Sequence, residues 1–393
     1  MGAPARSDAI SSPSITLVDT DRALNALLAV LHDVEEVAVD TEFHAENRFV
    51  PKLMVVQIAT RDGAIWVVDA VAVDVSPLAR ALCERRMVLH GGRVDVQLLH
   101  HRGGVWPREL LDTQRVAGLV GRGYPTSLQA LALDVLQLHV DKSATLTDWQ
   151  RRPLTDAQVS YAAMDAAVLF PLLDRLRDDA AAAGRAEWLG EVSAEVVDEA
   201  ERPDPAPWVG WGVVSALGEP ERQVLDRLVR WRTIQASAKD RPLHYVLSDG
   251  VAIDLARRRP GTLDDLRANR RIPQGLIHRH ADEILFEIAE AQKNPVALPP
   301  VPTPNQLRLQ RLLQVWAEAL ENSTKVAAAL ALPPTLARRI AAEGPGAVTG
   351  WRRKFLGTNL QQFWDGSSSL RISASDGVII EPSPVEEKKI SPG

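Results

Sequence analysis

Cysteine is almost absent from this 393-residue chain, with Cys83 standing alone. A single thiol excludes a disulfide framework and a thiolate zinc site, and it fits a reducing compartment. Long hydrophobic runs are missing too. No segment reaches the roughly 18 apolar residues that a membrane-spanning helix needs, and the opening MGAPARSDAISSPS lacks the apolar core of a secretory signal. There is no general basic surplus, the formal net charge being −6. These absences lead to the expectation of a soluble, cytoplasmic protein with no membrane contact; a monomer is expected. With 46% hydrophobic and 24% charged residues, the chain has the make-up of an ordinary globular protein, long enough for two or three domains.

Up to about residue 205, β-like and helical runs alternate. EVAVDTEF, LMVVQIAT and AIWVVDA read as successive strands, the last two joined by a turn at Arg61-Asp62-Gly63. MVLHGG and ELLDTQ read as further strands, each leading into a helical pattern, and the segment closes in helices, a long one starting near Asp156. This order predicts a mixed sheet flanked by helices over 15–205, after a flexible stretch at 1–14. The proline-rich ERPDPAPW (201–208) reads as a linker. Residues 215–296 read as an all-helical unit, with Val224, Leu225, Leu228 and Trp231 at helical spacing. ALPPVPTPNQ (297–306) is a second linker, 304–366 a second helical unit, and 367–393 a disordered tail.

Charge is unevenly divided. Residues 1–214 hold 20 Lys/Arg against 31 Asp/Glu, 215–296 hold 14 against 12, and 304–366 hold 8 against 4. Any polyanion binding is therefore assigned to the helical units, where Arg257, Arg258, Arg259, Arg270 and Arg271 could form a backbone-binding face or a solvated surface. Trp231 and Trp351 read as core residues rather than stacking platforms.

The chemistry is concentrated at a few acids. Asp40 and Glu42 end the apolar run Val37-Ala38-Val39, and strand alternation sends both carboxylates to one side. Either the strand has reached water, or a cation lies between them. Asp95 falls early in the helix after the fourth strand, and Tyr161 and Asp165 are one turn apart on one helix face. Thr155 with Gln158 forms a capping-box pattern that sets the start of that helix. Four converging carboxylates would be hard oxygen ligands for two Mg²⁺ or Mn²⁺ ions. Such a pair, about 3.5–4 Å apart, stabilises the attacking and leaving oxygens of an in-line displacement at phosphorus. A tyrosine hydroxyl beside them can hold the attacking water. Arg151 and Arg152, just before the catalytic helix, are placed for phosphate contact or for an exposed loop; Asp69, Asp112 and His90 read as structural residues.

Taken together, VDTEF with PKLMVVQIAT, HGGRVDVQLL and SYAAMDAAVLFPL resemble the three exonuclease motifs of the DEDD superfamily, in its tyrosine-bearing branch. LLDTQ, TSLQALALDVLQL and DKSATLTDWQRRPLTDAQ are similar to the ribonuclease D family. Residues 228–249 and 257–267 resemble the helicase-and-RNase-D C-terminal (HRDC) domain, and WRRKFLGTNLQQFWDG the end of a second, divergent copy. The resemblance spans roughly residues 15–366 and implies a ribonuclease H-like α/β exonuclease domain followed by two all-α HRDC-type domains. It implies 3′→5′ hydrolysis of RNA ends, such as tRNA precursors or other structured RNA, to nucleoside 5′-monophosphates. By the same resemblance Asp40, Glu42, Asp95 and Asp165 bind two divalent ions, with Asp40 bridging, while Tyr161 orients the water with help from Glu42. The alternatives are a DNA exonuclease and a non-catalytic nucleic-acid-binding scaffold.

Overall fold

The computed structural model describes residues 14–140, 147–202, 206–375 and 377–383. Within them the chain divides into two compact units. One comprises residues up to 43, 53–202 and everything from 307 onward; the other comprises 44–52 and the residues up to 306 that follow 202.

The first unit is built on a six-stranded sheet in the order β1-β4-β3-β2-β5-β6. Its strands are β1 (Ile15–Val18), β2 (Glu36–His44), β3 (Lys52–Ala59), β4 (Ile65–Asp69), β5 (Arg86–Leu89) and β6 (Glu109–Asp112). β3 and β4 pair antiparallel through the turn at Gly63, whose φ of 88° suits glycine. β1 runs parallel to β4, β2 to β5 and β5 to β6, so the sheet is mixed, as expected. The short β1 is an addition to the sequence reading.

Both faces of the sheet are covered, which is why β3 is buried along nearly its whole length. On one side Leu53, Val56 and Ile58 pack with α1 (Asp21–Leu31), α2 (Ser76–Cys83) and α3 (Arg93–Gly103). On the other, Val55 and Ala59 pack with α4 (Thr113–Leu119), α5 (Leu128–Leu136), α6 (Asp156–Ala167) and α7 (Leu169–Ala182). Each fully buried leucine contributes about 1.5–3 kcal/mol relative to exposure. The helix expected to run on from Asp156 is broken at Val168. Pro171 has no N–H for the Ala167 carbonyl, so the chain restarts as α7.

Residues 304–366 were read as a second helical unit. From Leu307 onward they belong to the same compact unit as the sheet. α8 (Leu189–Glu201) supplies Val192, which with Leu119 and Trp188 shares a core with Leu313, Trp316, Leu320, Trp351 and Leu360. The latter five come from two helices separated by shorter ones: α14 (Pro304–Thr324), α15 (Ala328–Ala331), α16 (Pro334–Glu343) and α17 (Gly350–Trp364). The expected disordered tail is also corrected for its first part, where β7 (Ser368–Ser373) and β8 (Gly377–Pro382) form an antiparallel hairpin. Leu370 and Ile380 of the hairpin pack on the same core, an anchorage that two short strands need.

The second unit contains α9 (Glu219–Ala238), α10 (Leu243–Val246), α11 (Asp249–Arg258), α12 (Leu263–Ala268) and α13 (Gln274–Lys293). The stripe read from the sequence is its core: Val224, Leu225 and Leu228 are fully buried, and Trp231 nearly so. Residues 44–52 are held in this unit by Asp240, whose Oδ1 accepts from Phe49 N at 3.1 Å and Val50 N at 3.3 Å. Among the described residues, no helix is long and apolar enough to cross a membrane.

Candidate active site

Strand alternation in β2 brings Asp40 and Glu42 to one side, both half-buried, with Thr41 buried between them in sequence. Thr41 Oγ1 donates to Asp95 Oδ1 at 2.5 Å and so ties the strand to α3. Asp95 lies in the first turn of α3, where the helix dipole favours a negative charge. The start of α3 is pinned from outside. Asp112 accepts from Gly91 N, Gly92 N, Gln114 N and Arg115 N at 2.9–3.1 Å, joining the turns that precede α3 and α4. A side chain at Gly92 would meet Leu89, with a Cβ only 2.7 Å from its Cδ1.

α6 carries the other half. Thr155 accepts from Gln158 N and Gln158 Oε1 accepts from Thr155 N, the capping box read in the sequence. With the helix start set, Tyr161 and Asp165 face the site one turn apart, 8% and 4% exposed. The Tyr161 hydroxyl donates to the Asp165 carboxylate.

Asp40, Glu42 and Asp165 each offer an oxygen within 4.8 Å of the other two. Asp95 stands outside that triple, with one oxygen taken by Thr41, but it is the neighbouring charge that acts most strongly on Asp40. Burial, then the charges of Asp95, Asp165 and Glu42, hold the Asp40 carboxyl well above the usual range. Burial, then Asp165 and Asp95, lift Glu42 to about 8. Burial lifts Asp95 to about 6 against the opposing hydrogen bond from Thr41, and lifts Asp165 to about 6 against the one from Tyr161. Asp165 Oδ1 is buried and has no hydrogen-bond partner among the described residues. Such a group is costly unless it meets a cation. All-oxygen donors in this density suit a hard divalent ion of the Mg²⁺ or Mn²⁺ kind rather than a thiolate-seeking one.

The other sequence candidates fall elsewhere. Arg152, read as placed for phosphate contact or for an exposed loop, has its guanidinium taken up by Asp69 and by the Met54, Trp149 and Arg151 carbonyls. Arg151 is exposed, with Asp148 at 3.4 Å. Both ring nitrogens of His90 are engaged at 2.9 Å, by Thr113 and the Thr126 carbonyl. Asp69 caps the end of β4 by accepting from Val71 N and Ala72 N. In the second unit Arg257, Arg258, Arg259, Arg270 and Arg271 are all exposed. Arg258 and Arg271 meet at Asp254, at 3.1 and 3.5 Å, so one arginine from each cluster lies beside the other. Trp231 and Trp351 are core residues as read, their indole N–H groups donating to Glu283 and Glu195 at 2.9 Å. Thr41 was missed, because alternation sends its side chain away from its acidic neighbours and nothing local announces a bond to residue 95.

Residues 15–180 match the 3′–5′ exonuclease domain family, and residues 221–288 the HRDC domain family. The chain is 30% identical to ribonuclease D of Nitrobacter hamburgensis over 382 residues, covering 93% of this chain and 100% of that protein. It is also 30% identical to ribonuclease D of Granulibacter bethesdensis, over 92% of this chain and 95% of the relative. The crystal structure of Escherichia coli RNase D, an exoribonuclease involved in structured RNA processing, superposes with a TM-score of 0.79 over 90% of this chain and 99% of that one, at 22% identity. Its likeness establishes the shared fold. On these relationships the chain belongs to the ribonuclease D family and is a 3′→5′ exoribonuclease.

Proposed function

We propose that Asp40, Glu42, Asp95 and Asp165 hold two divalent ions, Mg²⁺ or Mn²⁺, and that Tyr161 orients the water that attacks the 3′-terminal phosphodiester of an RNA, releasing nucleoside 5′-monophosphates. The observation that carries this reading is the meeting of three carboxylates within 4.8 Å, one of them with a buried oxygen that has no partner among the described residues. When bound, the ions supply Lewis-acid stabilisation to the charge that develops on the attacking and leaving oxygens. Tyr161 donates its own hydrogen to Asp165, and the lone pairs of its hydroxyl oxygen accept from the water and turn it toward phosphorus. Glu42 assists at the same water.

Substrate capture belongs to the helical modules. Their support is the exposure of Arg257, Arg258, Arg259, Arg270 and Arg271, two of which, Arg258 and Arg271, meet at Asp254, with the exposed Arg151 as a further phosphate contact. Residues 304–366 are a second HRDC-like module. In support, α14, α15 and α16 have 21, 4 and 10 residues against 20, 4 and 10 in α9, α10 and α11. The substrates are structured RNAs such as tRNA precursors, and the enzyme works as a cytoplasmic monomer.

The test is hydrolysis of end-labelled single-stranded RNA and DNA with Mg²⁺, with Mn²⁺ and with chelator. A metal-dependent ladder on RNA is expected, and Asp40→Ala should lose more than about 10²-fold, the upper end of what losing an outer-shell partner costs. Near wild-type hydrolysis by Asp40→Ala would overturn the assignment.

A further inference from the structure

Arg152 enters the molecule as a strut. A guanidinium has five N–H donors in a planar fork, and here every one is used inside the protein. Nε and Nη2 donate to the two carboxylate oxygens of Asp69, the latter at 2.7 Å; Nη2 also reaches Met54 O at 3.1 Å. Nη1 donates to Trp149 O and Arg151 O, each at 2.7 Å. Asp69 is 3% exposed and also receives Val71 N at 2.9 Å and Ala72 N at 3.2 Å, so the pair is anchored to the end of β4. Nothing on Arg152 is left for a substrate phosphate.

What the strut secures is the segment that leads into α6. Gln158 Nε2 reaches Thr147 Oγ1 and Asp148 O, each at 3.4 Å, while Arg152 Nη1 holds the Trp149 carbonyl. The Trp149 side chain is 6% exposed, and its ring centroid is 6.2 Å from that of Tyr161 at an interplanar angle of 43°. Its indole Nε1 is buried and finds no acceptor among the described residues. Trp149 is therefore seated by the backbone bond to Arg152 and by packing rather than by a hydrogen bond of its own ring.

We infer that the Arg152–Asp69 pair is a positioning device for the reaction: it seats Trp149 against Tyr161 and thereby sets where the Tyr161 hydroxyl points. The inference rests on the role proposed above for Tyr161. That hydroxyl is useful only in one direction, and a displacement of about 1 Å can cost on the order of 10²-fold in rate. A bidentate Arg–carboxylate pair fixes both distance and plane, which an ammonium group on a flexible stem does not.

The experiment uses the full-length, metal-loaded enzyme and a short single-stranded oligoribonucleotide. Arg152→Lys keeps the charge and loses the fork. It should lower kcat by about 10-fold or more while leaving KM and the metal concentration for half-maximal rate unchanged. In a Tyr161→Phe background the same change should cost nothing further, since residues acting through one group are non-additive. Losses that multiply in the double variant, or a loss that falls on KM and grows with added salt, would overturn the inference and return Arg152 to phosphate binding. If Tyr161→Phe alone keeps full kcat, the role of Tyr161 fails first and the inference with it. Should Arg152→Lys not fold, Trp149→Leu removes the ring while sparing the strut. It should show the same kcat loss, absorbed in the Tyr161→Phe background, and additivity there overturns the inference equally.

Discussion

Thr41 and Asp95, 54 positions apart in sequence, are joined by a 2.5 Å hydrogen bond from the threonine hydroxyl to the aspartate Oδ1. The bond runs from the strand that carries Asp40 and Glu42 to the helix that carries Asp95. It opposes the burial that lifts Asp95. Thr41→Val keeps the shape and removes the donor. The cost of leaving a buried acceptor unsatisfied is about 1–3 kcal/mol. Loss of such an outer partner weakens metal affinity by about 10–100-fold. The expected outcome is a rise in the metal concentration for half-maximal activity, with kcat largely recovered at saturating metal. A kcat that stays low at saturation would mean that Thr41 does more than hold Asp95.

Without metal, the acidic cluster should make the protein less stable as pH rises. The folded forms of Asp95, Asp165 and Glu42 titrate at about 6, 6 and 8, above the ordinary carboxylate values near 4, so the folded state binds more protons than the unfolded one in that window. Stability is then fully present below the unfolded values and is lost as pH climbs through about 6 to about 8. Urea unfolding in chelator at a series of pH values reads this directly. Asp165→Asn, which removes one of the mutually repelling charges, should flatten the slope, and added Mg²⁺ or Mn²⁺ should reverse it. A metal-free wild type whose stability is level from pH 5 to 9 would contradict the convergence of the four acids.

Tyr161→Phe keeps the ring against Trp149 and removes only the hydroxyl. Turnover should fall by roughly 10²-fold, the low end of what positioned polar groups contribute, with little change in metal dependence. The lost hydrogen bond also lets the Asp165 carboxyl rise further, so the activity profile should shift to higher pH. Metal affinity falling in step with turnover would make the tyrosine part of the site's architecture instead.

RNA capture can be separated from chemistry on the arginine face. Arg258 and Arg271 lean on the buried Asp254, so reversing their charge would strand a carboxylate. Arg257 and Arg270 are the cleaner pair. Arg257→Glu with Arg270→Glu should weaken binding of long RNA and make its salt dependence shallower, because fewer counterions are released. Hydrolysis of a very short oligonucleotide should be unaffected. Unchanged affinity and salt slope would assign this face to another role. Cutting the chain after residue 205 is a poor substitute, since it would strip Leu313, Trp316 and Trp351 from the core they share with Leu119, Trp188 and Val192.

What the sequence determined by itself is whatever depends on short-range periodicity and chemical type. Alternation in VAVDTEF puts Asp40 beside Glu42, helical spacing puts Tyr161 over Asp165, and Thr155 with Gln158 marks the helix start. The stripe of Val224, Leu225, Leu228 and Trp231 announces a buried helix face in the same way. Only the tertiary structure decided which distant groups meet. A buried polar atom takes the partner that packing brings to it, and sequence spacing carries no record of that choice. Arg152 had the type of a phosphate ligand but, 83 positions from Asp69, it fills a carboxylate's hydrogen-bonding needs and lends its fixed geometry to Trp149. The same holds for the last helices and the hairpin. Their apolar residues read as a separate unit and a loose tail, yet they are buried against Trp188 and Val192 because that face of the sheet unit would otherwise lie open to water.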